Sequence, residues 1–285
     1  GDPNEKKGPE GFGAAKFIKP GQVMTYTVYC ENVPTATAPV QRLTINDDLD
    51  SNLDLRTYRI LEIEVGDIKV PVPDNASFVN TRVVLGPEKG NVVLHVFAGF
   101  DIFTGRSFLK VNTLDPATGE RPTLPELGFM PPNDSTHRGE GHITYRISPK
   151  AALATGTVIP NIATIIFDDL ERIDTNAVSN TIDGDAPQSA VEALPVSSES
   201  PNFTVNWSGT DDSVGSGVNS YDIYVSDDNG AYTSWLKDVT FTSALYEGAR
   251  GHTYRFYSIA RDNVDNIEIA PAQHDAIITL GTNYT

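Results

Sequence analysis

A single cysteine in 285 residues leaves no partner for an internal disulfide. Basic residues are scarce too. Lys and Arg number 21 against 38 Asp and Glu, for a formal charge of −17. Such a surface repels phosphate backbones and anionic headgroups, so nucleic acid and lipid surfaces are poor partners. No apolar run approaches the roughly eighteen residues of a membrane helix. Phosphate-cradling glycine loops, a Gly-x-Ser-x-Gly elbow and the His-Glu-x-x-His pattern are all missing. The only close histidine pair, His137 and His142, has spacing that fits no zinc site and reads as a turn leading into a strand. Nothing sets one carboxylate pair apart as a glycosidase couple. These absences argue against an enzyme.

The start is equally plain. The chain opens on Gly1-Asp2-Pro3-Asn4, with no initiator Met and no basic or apolar leader. That reads as a processed form or an excerpt of a longer polypeptide.

What the sequence does have is period-2 alternation. Val23–Cys30, Arg42–Asn46, Arg59–Val65, Lys69–Val72, Thr81–Leu85, Val92–Phe97, His142–Ile147 and Ala163–Phe167 are predicted strands, separated by Pro, Gly and Asn turns. Cys30 shares a face with Met24, Tyr26 and Val28, which predicts a buried thiol acting as a small hydrophobe. Residues 115–134, rich in Pro and Gly, read as a long ordered loop, and a short helical turn is expected near Ala151.

Composition shifts near Asn180–Pro187. From residue 183 onward 15 acidic residues face only 4 basic ones. Further strands are predicted at Phe203–Trp207, Ser220–Ser226, Thr233–Leu236, Thr240–Leu245, Thr253–Arg261 and Ala276–Leu280. Asp227-Asp228-Asn229-Gly230 predicts a tight hairpin, because Asn-Gly tolerates positive φ. The spacing, an early Trp207 and a late Tyr254/Tyr257 strand predict a seven-strand sandwich. The fold class is therefore all-β, two consecutive sandwiches at 1–182 and 183–285, the first with an N-terminal arm over about 1–20.

Several segments carry a resemblance. Asp2-Pro3-Asn4-Glu5-Lys6, Thr25–Asn32, Ala36-Thr37-Ala38-Pro39, Asn46-Asp47-Asp48-Leu49-Asp50, Asn161–Asp168 and Ile173-Asp174-Thr175-Asn176 resemble the conserved-repeat β-sandwich domains of very large bacterial and archaeal surface proteins. Trp207–Asp212, Gly215-Ser216-Gly217-Val218, Tyr221–Ser226 and Ala260-Arg261-Asp262-Asn263 are similar to bacterial fibronectin type III-like or immunoglobulin-like modules. The resemblance implies spacers, adhesive stalk units or assembly subunits at the cell surface, without catalytic residues. Relatives tend to carry Asn or another short oxygen ligand where this chain has Leu170, which would weaken a metal site there or shift it to Asp169 or Glu171.

A secreted protein without disulfides needs another staple, and calcium takes six to eight hard oxygen ligands of the kind clustered here. Asp2, Asn4 and Glu5 are expected to meet Asp168, Asp169, Glu171, Asp174 and Asn176, tying the N-terminus to the last strand of the first domain. Asn46, Asp48, Asp50, Asn52 and Asp54 form a second cluster. In the second domain Asp211 and Asp212 follow one strand and Asp262, Asn263, Asp265 and Asn266 another, at one end of the sandwich, where they could share an ion. The competing reading is that these residues simply cap turns.

The expected function is a calcium-stabilised, non-catalytic extracellular module, serving as a stalk repeat or as a self-assembling filament or layer subunit. Its partners would be other copies of itself or neighbouring surface domains; the arm could add a strand to a neighbour, while the resemblance favours its packing on its own domain. The alternative is a carbohydrate-binding accessory module of a secreted enzyme, recognising glycans through Trp235, Tyr232 and Tyr246. Asn-x-Ser/Thr sequons occur at Asn75, Asn133, Asn202, Asn206 and Asn283.

Overall fold

The computed structural model describes residues 3–282 and is all-β; its one helix among the described residues is a single 3-10 turn at Pro87–Lys89. Contacts divide the chain into two units: residues 3–11, 20–153 and 158–180, and residues 12–19, 154–157 and 181–282. The expected arm is thus shared out between the two. Its strand Lys6–Lys7 pairs with Val28 and Thr27, and its strand Phe17–Ile18 runs parallel to Thr181–Ile182. Both described strands of the arm are therefore paired within this chain, as the reading that packs the arm on its own domain expects and not as a donated strand would be.

In the first unit a five-stranded sheet runs in the order Lys6–Lys7, Met24–Glu31, Glu140–Pro149, Leu53–Val65, Ile68–Lys69. A six-stranded sheet runs Ile173–Asp174, Ala163–Phe167, Arg42–Asp48, Arg106–Leu114, Val93–Asp101, Val79–Val84. Alternation decides which face is inside: Met24, Tyr26, Val28 and Cys30 are buried while Thr25 and Tyr29 face out. Burial pushes the Cys30 thiol up to about 12, so it stays protonated and inert. Tyr26, Tyr58 and Tyr145 form an aromatic block at the centre, Tyr145 lying 5.5 Å and 5.1 Å from the other two rings. The turn expected near Ala151 is present but not helical.

The second unit pairs a three-stranded sheet (Gln188–Val191, Asn202–Thr210, Ser243–Glu247) with a five-stranded one. The latter runs Ser197–Ser198, Ala276–Leu280, Thr253–Asp262, Val218–Asp227, Thr233–Val239. Short flanking strands such as Gln188–Val191 and Ser197–Ser198 take it beyond the seven predicted. Asp228 and Asn229 have φ of 48° and 60°, and the Gly230 N–H donates to Asp227 O at 2.8 Å. Two successive left-handed residues are what a type I′ hairpin needs.

Trp207 is fully buried, with Val205, Ile223, Phe256 and Ile278 around it. Trp235 packs edge-on against Trp207 at 6.3 Å, Tyr246 at 5.0 Å and Phe256 at 5.8 Å. Trp235 and Tyr246 are thus half-buried and packed against this core.

Both tryptophans lie in the second unit, so their fluorescence reports on it alone. Trp207→Ala is expected to lower this unit's stability by about 3–5 kcal/mol, through lost burial and the cavity left behind. Urea unfolding followed by the remaining Trp235 emission checks it; a midpoint unchanged from wild type contradicts the core assignment.

Candidate metal centre

Three segments of the second unit converge on one acidic cluster. Asp183 follows the strand Val178–Ile182. Asp211 and Asp212 follow Asn202–Thr210. Asp262 closes Thr253–Asp262. Asp183, Asp211 and Asp212 each bring a carboxylate oxygen to a common point, all within 4.8 Å of one another.

Asp183 and Asp262 are completely buried. The Asp183 carboxylate accepts the Ser216 N–H at 2.7 Å through Oδ2, while its Oδ1 is sealed from water with no hydrogen-bond partner. Oδ2 of Asp212 is likewise sealed and unpartnered. Asp211 accepts from the Gly217 N–H at 2.7 Å and the Asp212 N–H at 3.0 Å. Burial raises the Asp211 carboxyl above the usual range against these hydrogen bonds, and the charges of Asp183 and Asp212 push the same way. An unpartnered buried carboxylate oxygen costs several kcal/mol unless a proton or a cation meets it.

The rest of the loop is held by amides. Oδ1 of Asp262 takes the Val264 N–H at 2.9 Å and the Asn266 N–H at 2.8 Å, and Oδ2 takes Asn266 Nδ2 at 2.7 Å. Asn266 Nδ2 also donates to Asp183 O at 3.0 Å, and Asn263 Nδ2 to the Ser216 and Gly217 carbonyls. Burial, more than any charge, raises the Asp262 carboxyl. Asp262 and Asn266, expected as ligands, are here engaged in hydrogen bonds within the loop and to the Asp183 carbonyl. Asp265 turns away, with its carboxylate toward Arg261 at 3.5 Å and its carbonyl accepting from Lys19.

Gly215 completes the shape. A Cβ there would lie 2.7 Å from both Asp211 Oδ2 and Asp212 Oδ2, closer than any real Cβ contact. Only a residue without a side chain leaves the space between the two carboxylates open.

The expected first-domain site takes another form. The Asp168 carboxylate accepts the Gln41 and Arg42 N–H groups at 3.1 and 2.9 Å and pairs with Arg121 at 3.0 Å. Asp169 pairs with Arg42 and Arg121, whose hydrogen bonds and charges hold it below the usual carboxylate range. Asp174 pairs with Arg172 at 3.2 Å, while Glu171 and Leu170 are exposed. Asn4 caps the Glu31 N–H at 3.2 Å, and Asp2 lies outside the described residues. The N-terminal strand is indeed tied to the end of the unit, but by an amide: the Lys6 N–H donates to Asn176 Oδ1 at 2.8 Å, and Asn176 Nδ2 to Lys6 O at 3.0 Å. Guanidinium groups occupy the place expected for a cation. In the second cluster Asp48 pairs with Arg106 at 2.6 Å, Asp54 with Arg56 at 2.7 Å, and Asp50 accepts the Asn52 N–H at 2.8 Å.

Two further groupings have their own compensation. His142 lies 3.4 Å from Glu62, which also pairs with Lys69, and His252 meets Asp227 at 2.8 Å and Asp228 at 3.1 Å.

A family profile described as a domain of unknown function (DUF7619) matches residues 125–181. No curated protein matches the chain. Among solved structures, domains D2 and D3 of the major pilin SpaD from Corynebacterium diphtheriae are similar at 12% identity, over 94% of this chain and 84% of that one, with a TM-score of 0.35. The pilus 2b backbone protein of group B streptococcus is similar at 14% identity, over 96% and 95%, with a TM-score of 0.35. The collagen-binding domain of a Staphylococcus aureus adhesin is similar at 12% identity, over 64% and 97%, with a TM-score of 0.30.

A cation at these carboxylates competes with protons, and the raised Asp211 carboxyl starts that competition at higher pH than an ordinary aspartate. Any calcium-dependent rise in the second unit's melting temperature is therefore expected to shrink steadily from pH 7 toward pH 5; a rise independent of pH in that window contradicts the assignment. Gly215→Ala, which alters no charge, is expected to weaken calcium binding at least tenfold by isothermal titration.

Proposed function

We propose that the chain is a non-catalytic structural module of the cell surface, a stalk or spacer unit whose second sandwich is stapled by calcium at Asp183, Asp211 and Asp212. The observation that carries the reading is the buried Asp183 carboxylate, one oxygen of which has no partner, clustered with two further carboxylates. Three carboxylates are hard oxygen donors, which suit calcium better than softer metals. The acidity of the second unit and the single buried cysteine fit the same view: metal takes the stapling role that disulfides have in other secreted sandwiches.

The arm supports a spacer over a subunit that polymerises by strand donation, since its strands are paired internally. The glycan-binding alternative has less to support it, because Trp235 and Tyr246 are half-buried against the core and Tyr232 leans on Tyr257 at 4.7 Å.

A site with a dissociation constant of ~10⁻⁴ M stabilises by about 2.7 kcal/mol in ~10⁻² M calcium. For a unit of this size that corresponds to a melting shift of roughly 10 °C or more. Tryptophan-monitored melting in excess calcium and in chelator is expected to give that shift for the second unit only. Asp183→Asn is expected to abolish it. An identical melt in both conditions would leave a passive spacer without the staple.

A further inference from the structure

The first unit carries a buried group that surface ion pairing does not account for. Lys6 sits on the strand Lys6–Lys7 with its whole side chain out of water, its ammonium against the Asp47 carboxylate. Its Nζ lies 5.0 Å from the Tyr26 ring centroid and 5.6 Å from that of Tyr145. Asp47 is 2% exposed and comes from Arg42–Asp48 in the opposing sheet. Asn161, 3% exposed, ends the strand Val158–Asn161.

One hydroxyl joins all three residues. Tyr145 Oη lies 3.2 Å from Lys6 Nζ, receives Asn161 Nδ2 at 3.1 Å and donates to Asp47 Oδ2. Asp47 Oδ1 and the carboxamide oxygen of Asn161 are both buried without a hydrogen-bond partner. An amine, a carboxyl group and a carboxamide thus share one dry pocket, and two of their oxygens are unsatisfied.

Burial pulls the Lys6 ammonium below its usual range, opposed by the Asp47 charge. A charge pair in such a place is expensive, and moving the proton from nitrogen to carboxylate makes both groups neutral. Neutral amine is the nucleophilic form of lysine, and a carboxylic acid kept in apolar surroundings is a proton donor. Groups held in contact by a folded core react with effective molarities of about 10⁵–10⁸ M.

We propose that Lys6 and Asn161 form an intramolecular amide cross-link, with Asp47 as the proton-transfer residue. The lone pair of Lys6 Nζ attacks Cγ of Asn161 while protonated Asp47 hydrogen-bonds the carboxamide oxygen. Asp47 takes a proton from the attacking nitrogen and passes one to Nδ2. The Cγ–Nδ2 bond breaks, ammonia leaves, and an Nζ–Cγ amide remains. Lysine amine plus primary amide gives secondary amide plus ammonia, so no oxidant, cofactor or water is consumed. The buried charge pair is replaced by a neutral amide beside a carboxyl group. The product ties the first strand of the unit to a strand near its end, where two residue pairs with Val28 and Thr27 otherwise fasten it to the sheet.

The test is the intact mass of the purified wild-type protein, denatured before measurement so that only covalent change registers. The expected result is a mass lower by one ammonia than the sequence requires, with a branched peptide joining Lys6 to Asn161 after digestion. Lys6→Met and Asp47→Ala should give the full sequence mass. Asn161→Asp keeps the size of the acceptor but changes the leaving group, so any cross-linked form should be lighter by water and not by ammonia. A wild-type protein of full mass overturns the proposal. So does a deficit of one water mapping to a Lys6–Asp47 link, or an Asn161→Asp protein that still loses ammonia.

Discussion

A carboxylate removed from water must be met by a proton, a cation or a set of donors, and each unit of this chain is organised around one that is. In the first unit the residue is Asp47, enclosed by Lys6 and the Tyr145 hydroxyl. In the second it is Asp183, with one oxygen on the Ser216 N–H and the other bare. The desolvation cost of either group is comparable with the margin on which domains of this size stand. The surroundings are therefore specified: a lysine that would be a liability elsewhere, three tyrosine rings packed together, and a glycine that leaves room between two carboxylates. Replacing Lys6 without Asp47 leaves a buried charge uncompensated, which is costlier than losing the pair together.

The two units handle acidity differently. In the first, arginines dominate: Arg42 and Arg121 clamp Asp168 and Asp169, Arg106 holds Asp48, and hydrogen bonds to these guanidiniums draw the Asp48 and Asp169 carboxyls down. Such pairs are exposed and individually weak. From residue 183 onward only 4 basic residues are available. There, backbone N–H groups and the amides of Asn263 and Asn266 take the arginines' place, and they satisfy hydrogen-bonding valence without cancelling charge. On the proposed reading, that difference gives a cation a role in the second unit and leaves little room for one in the first.

Much of the fold was legible because it is written in local alternation. Ala163–Phe167 and Ala276–Leu280 match the reading residue for residue, and Met24–Glu31 differs by one position at each end. Arg106–Leu114 escaped because Ser107 and Thr113 occupy inward positions, breaking the apolar stripe that the period-2 reading follows. Lys6–Lys7 escaped for a sharper reason: a two-residue strand has no period, and lysine is the side chain least expected inside. Asp211 and Asp212 were recognisable from their loop. Asp183 was not, since Ile182-Asp183-Gly184-Asp185 reads as linker and its neighbours in space come from much later in the chain. Asp168 and Asp169 were misread in the opposite sense, because Arg42 and Arg121, which neutralise them, are remote in sequence.

The way the chain is apportioned has a consequence for how it must be made. Residues 12–19 and 154–157 belong to the second unit although they are flanked on both sides by segments of the first. Neither unit is a continuous stretch of polypeptide. The strand Phe17–Ile18 finds its parallel partner Thr181–Ile182 only after more than half the chain has followed it, so a polypeptide emerging from its N-terminus holds that strand unmatched through most of synthesis or export. Loop-closure entropy of this kind slows folding far more than it affects final stability. Completion therefore waits on the C-terminal half, and a cut at the compositional boundary near residue 182 would separate Phe17, Ile18 and their partners Thr181 and Ile182 from the rest of the second unit. The two sandwiches mature together, as one interleaved folding problem.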